Sequence, residues 1–138
     1  MATKPALTTE QIKAAMDAML AKANETPDAP VAMAIVDAGG ELLAYFTMEN
    51  LRVFSRRHAR RKAYTSAIIG RDSGEHAAGL AAQGRGIADM GDPGFTYGQG
   101  GLVIMKDGVI LGGIGVGGYP SGQADEDLSR VGLNAMNL

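Results

Sequence analysis

Between residues 52 and 71 the chain places seven of its thirteen basic residues and no acidic one, and from Ser55 to Ile69 this stretch contains neither Gly nor Pro. Rich in Ala, Arg and Lys, it reads as a helix that Ser55 caps and Gly70 ends. At about 100° per residue, Ala59, Ala63 and Ala67 fall in one narrow stripe. Small side chains there let the helix axis lie close against a sheet or a second helix, so whatever this chain folds into must supply a flat partner for that stripe. Arg56 and Arg60 lie in or beside the stripe, Arg57, Arg61 and Tyr64 in another sector, and His58, Lys62 and Thr65 in a third. On those angles the charges are not expected to serve one site together. An unpaired arginine is costly to bury, so those nearest the stripe need a carboxylate, a carbonyl or a bound anion. The alternative is a solvated helix whose arginines pair with Glu49, Asp72 or a neighbouring subunit.

The +7 of this stretch sits in a chain of net charge −2, which leaves −9 on the remainder. A concentrated basic segment in an acidic protein favours a local anion partner over a long nucleic acid, whose phosphates the rest would repel. The 138 residues fit a single domain, residues 1–138, large enough for a real core. With no Cys there are no disulfides, thiolate metal sites or cysteine nucleophiles, and with only His58 and His76 as imidazoles no metal site is expected. No apolar run approaches the roughly 18 residues of a membrane span. The N-terminal Met1-Ala2-Thr3-Lys4-Pro5 lacks the apolar core of a secretory signal, and a cytoplasmic protein is expected.

Around the basic helix the chain alternates elements of clear period. Thr8 and Gln11 stand at capping-box spacing behind Leu7, and Ile12, Ala15, Met16, Met19 and Ala23 give a helix running to about Asn24 one buried face. Apolar runs on either side of Ala38-Gly39-Gly40 predict a hairpin in which Asp37 serves the turn. Asp72 or Ser73 is placed to cap a short helix to Ala82. The glycine-rich residues 83–101, interrupted by Ile87, Met90, Phe95 and Tyr97, read as a folded lid or pocket wall, with the Gly100 and Gly101 amides near a ligand. A second hairpin turns at Asp107-Gly108. Its second arm contains Gly113-Ile114-Gly115 and Gly118, but leads to Tyr119-Pro120 and not into a helix, which argues against dinucleotide binding. A last helix begins near residues 121–123, and its Asp125, Glu126 and Asp127 read as a cap and surface feature complementing the helix dipole.

Three segments carry a resemblance: residues 31–44, residues 62–67, and residues 100–116 with the helix of residues 125–132 after them. In this order and spacing the chain resembles the GlcG/HbpS-like family, which also supplies the C-terminal domain of PduO-type proteins. The resemblance implies an α/β (α+β) domain of three layers, an antiparallel sheet of about five strands flanked by helices, and symmetric homo-oligomers. Some relatives bind haem and some accompany cobalamin metabolism or catabolic enzymes, so family alone does not decide function.

Two functions follow. In the first, the chain binds haem or another tetrapyrrole, with His58 or His76 as axial ligand and Arg56, Arg60 and Lys62 near the propionates. In the second, a cofactor-free isomerase, hydratase or lyase acts on a small anionic metabolite. Arginines then hold the anion, Phe95, Gly100 and Gly101 line the site, and His58, Tyr64 or Tyr97 moves protons. No nucleophile elbow or triad supports hydrolysis.

Overall fold

The structure is a computed structural model that describes residues 5–138. Residues 1–4, part of the N-terminal segment read above for a signal, lie outside the described residues. Helix α1 (Thr9–Ala23) starts at the capping box its sequence carries: the Thr8 hydroxyl accepts from the Gln11 amide at 3.1 Å, and the Gln11 side chain accepts from the Thr8 amide at 2.9 Å. Two hairpins follow in the expected places, β1 (Ala32–Asp37) with β2 (Leu42–Thr47), and β3 (Gly101–Lys106) with β4 (Val109–Gly117). Asp37 holds the first turn, its Oδ1 accepting from the amides of Gly39 and Glu41 at 2.9 and 3.0 Å. Asp107 and Gly108, both left-handed at φ 51° and 77°, make the second.

All pairings are antiparallel, in the order β2-β1-β4-β3. Among the described residues the sheet therefore has four strands where about five were expected. The place beside β3 is taken by the start of helix α3 (Ser73–Ala82). Asp72 Oδ1 accepts from the Val103 amide at 3.1 Å and Ser73 Oγ from the Gly101 amide at 2.9 Å. Both side chains thus bond a strand, and neither caps α3 as the sequence suggested.

Strand β1 is buried on both faces and divides the core. Val31, Met33 and Ile35 join Met19 of α1 and Leu128 of α4 (Gly122–Ala135), whereas Ala34 and Val36 meet Ala63 and Ala67 of α2 (Val53–Ile69). The result is three layers, α1 and α4 on one side of the sheet and α2 on the other. On the α2 side β4 presents Gly113, Gly115 and Gly117. A Cβ on any of them would run into the helix backbone, against Ala63, Ala59 and Ser55 respectively. The helix thus lies directly on the strand, as the alanine stripe required. Ser55 belongs to this stripe and is buried, so it does not cap. The helix begins at Val53, behind an Arg52 that makes no side-chain cap bond. Gly70, at φ 80°, ends it. Among the described residues no helix is long and apolar enough to cross a membrane.

Candidate functional site

Because its alanine side is sealed against the sheet, α2 turns its arginines outward. Arg56, Arg57, Arg60 and Arg61 all line one cleft of about 580 Å³, whose far wall is Gly40, Leu42 and Tyr45 of the first hairpin. Helical angle puts Arg57 and Arg61 in a different sector from Arg56 and Arg60, yet all four line this cleft, since long arginine stems reach well beyond their Cβ directions, while His58 and Lys62 of the third sector do not line it. Arg56 is tied down, its Nε donating to the Leu51 carbonyl at 2.9 Å, while the Tyr45 hydroxyl donates to the Arg56 carbonyl at 3.1 Å. Among the described residues none of the four forms a salt bridge. Tyr64, also on this wall, donates to Asp92 Oδ2 at 2.7 Å. That bond pushes the tyrosine pKa up, with burial adding to it, and holds the Asp92 carboxyl below its ordinary value. Tyr64 is thereby held as a protonated donor.

A second cleft, of about 600 Å³, opens where the loop of residues 86–97 lies along α2. The loop is fastened by the Thr96 amide, which donates to Thr65 Oγ1 at 3.0 Å, and by Phe95, whose ring centre lies 5.5 Å from that of Tyr64. His58, Arg61, Asp92 and Thr96 are the polar residues of this cleft; Ile87, Pro93, Phe95 and Tyr97 are among its apolar ones. The His58 ring stacks on Phe54 with centroids 4.0 Å apart, and its Nδ1 lies 3.0 Å from the Phe54 carbonyl oxygen. A carbonyl only accepts, so Nδ1 carries the hydrogen and Nε2 of the neutral ring keeps its lone pair. Burial is the main cause that pushes the His58 pKa below its ordinary value. The charges of Arg61 and Lys62 act the same way, against the Phe54 carbonyl. His76 does not share this cleft. It is buried on α3 with Nε2 3.2 Å from Met90 Sδ, and burial, then Arg71, lowers its pKa.

Lys62, Gly100 and Gly101 sit deeper. Lys62 Nζ donates at 2.9 Å both to Asp125 Oδ2 and to the Val116 carbonyl, and the two side chains are only 8% and 5% exposed. Asp125 is therefore not the surface cap expected of it. Its Oδ1 accepts from the Tyr119 amide at 3.0 Å, and burial raises its pKa against the opposing pull of Lys62 and that amide. The Gly100 carbonyl accepts from Ser129 Oγ at 2.6 Å, and the Gly101 amide is given to Ser73. Both glycines lie in the seam between β3, α2 and α4, and line neither cleft. The sequence reading passed over Tyr45, Phe54 and Asp92. Only Asp92 had a local signal, standing before Pro93-Gly94 at the mouth of the loop.

No curated protein matches this chain. Among solved structures, Streptomyces reticuli HbpS, crystallised as a double mutant, is 29% identical, with a TM-score of 0.85 over 97% of this chain and 89% of that one. A PduOC:haem complex is 24% identical, with a TM-score of 0.85 over 95% of each chain, and Klebsiella pneumoniae ORFY 20%, with 0.84 over 99% and 94%. At those identities the last two speak for the fold alone. The family profile described as "Haem degrading protein HbpS-like" matches residues 7–134, and on that near-complete match the chain belongs to the HbpS-like family.

Proposed function

We propose that this protein binds haem in the cleft between α2 and the loop of residues 86–97, with His58 Nε2 as the axial nitrogen and Arg61 meeting a propionate. The observation that carries this reading is the fixed tautomer of His58: its Nδ1 hydrogen is given to Phe54, leaving Nε2 as the donor atom an iron needs. The apolar wall of Ile87, Pro93, Phe95 and Tyr97 suits a macrocycle, and Arg61 beside it suits a carboxylate. Bound haem would supply an iron centre whose access and potential these walls set. The family description, which names haem, supports the same ligand.

Haemin titration followed by the Soret band tests it. The wild type is expected to saturate, His58→Ala to bind about 10- to 100-fold more weakly with a changed band, and His76→Ala to behave as wild type. An unchanged titration for His58→Ala would reject the assignment. The pH dependence has a defined sign. Ligation needs the neutral ring, and the folded pKa of His58 lies below the ordinary value of about 6.5. Affinity should therefore hold as pH falls through 6.5 and fail only lower.

We further infer that the chain self-associates. Edge strand β2 exposes Leu43 and Phe46 at 41% and 42%, and the adjoining start of α2 exposes Val53 and Phe54 at 50% and 61%. Light scattering at micromolar concentration should give a mass well above the 14.3 kDa chain. A 14.3 kDa species alone would refute association.

A further inference from the structure

We propose that the arginine cleft between α2 and the first hairpin is a second binding site, for a small dicarboxylate, that works without haem. It goes beyond the haem reading, and the two clefts have only Arg61 and Asp92 in common. Four arginines, Arg56, Arg57, Arg60 and Arg61, line this cleft together with two acidic residues, Glu41 and Asp92. The lining thus carries a surplus of two positive charges. Asp92 is already engaged by the Tyr64 hydroxyl and the Gly94 amide, and its pKa is held low, so it stays a carboxylate and adds no proton to the balance. A dianion completes the neutralisation.

The arrangement of the charges favours two carboxylates over one phosphate. Arg56 and Arg60 form one pair and Arg57 and Arg61 a second, each separated by about one helical turn of 5.4 Å. A guanidinium fork matches a planar carboxylate in two parallel bonds, and two such groups joined by a short carbon chain span neighbouring forks. Between the forks and the hairpin the wall is Leu42 and the rings of Tyr45 and Tyr64, which suit the methylenes of such a chain. Arg56 is already oriented by its bond to Leu51, so less side-chain freedom is lost on binding.

Isothermal titration of the full chain at low salt, with succinate, acetate and inorganic phosphate as probes, tests the site. Succinate is expected to bind about tenfold or more tighter than acetate and tighter than phosphate, and Arg57→Ala with Arg60→Ala to weaken it by about tenfold or more. Circular dichroism identical to wild type establishes that the double variant is folded; Arg57→Gln with Arg60→Gln, which keeps most of the stems, repeats the measurement if it is not. His58→Ala should leave succinate binding unchanged, so failure of the haem reading and failure of this one are separable. No heat with succinate, equal or tighter phosphate binding, or an unaltered affinity in the folded arginine variants would overturn the proposal.

Discussion

Lys62→Met is expected to cost about 3–5 kcal/mol of folding stability, as urea denaturation would measure it, because it strands a buried carboxylate. Asp125 reaches Lys62 at 2.9 Å with both side chains almost wholly buried, and without the ammonium only the Tyr119 amide still opposes the cost of its charge. Burial already holds the Asp125 pKa above its ordinary value, and removing the cation raises it further. The sign of the pH effect follows. With the folded pKa raised, the variant keeps its stability below the ordinary carboxyl value of about 3.9 and loses it as pH climbs through the raised one. Replacing both partners, Lys62→Met with Asp125→Leu, should recover much of the loss, since an apolar pair leaves no charge to bury. If the single and double variants were equally unstable, the pair would matter for its packing and not for its charge.

Gly115→Ala is the second large effect, a loss of about 3 kcal/mol. The added methyl would overlap the Ala59 carbonyl and stand 2.5 Å from the Ala63 amide, both backbone atoms of α2. Because the obstacle is backbone, no truncation of an α2 side chain relieves it; the whole helix must lift from the sheet. Gly86→Ala is the control, since a Cβ there meets nothing within 4 Å and its φ of −124° suits alanine, so its effect should stay within about 0.5 kcal/mol. A Gly115→Ala protein as stable as Gly86→Ala would mean that the helix rests less tightly on β4 than the contacts require.

What the sequence disclosed was what lies close along it. The bonds between Thr8 and Gln11 span three residues and those of the Asp37 turn two and four, so their residue types announce them. The alanine stripe and the glycines of β4 each predicted a close approach from one side, and they meet each other. The Lys62–Asp125 pair joins residues 63 apart. Local pattern gave Asp125 a plausible life as a helix-start acid, and nothing nearby in sequence contradicted it. The arginine cleft was misread for a different reason. Angular position describes where a side chain leaves the helix, while the guanidinium acts several bonds further out. His58 was visible as a candidate, but the bond to Phe54 that fixes its tautomer depends on ring placement, which a sequence does not state.

The two rims of the sheet have unequal capacities for growth. Along β3 the amides of Gly101 and Val103 already have acceptors in Ser73 and Asp72, so an incoming strand finds those two donors taken. Along β2 no other strand pairs with the outer rim among the described residues. A molecule with two open rims can add neighbours without limit and run into a fibre; one with a single open rim can join one copy of itself and is then closed on both sides. Asp72 and Ser73, two side chains at the start of a short helix, thus take two backbone donors of β3 out of reach of strand addition, while no strand covers the β2 rim among the described residues.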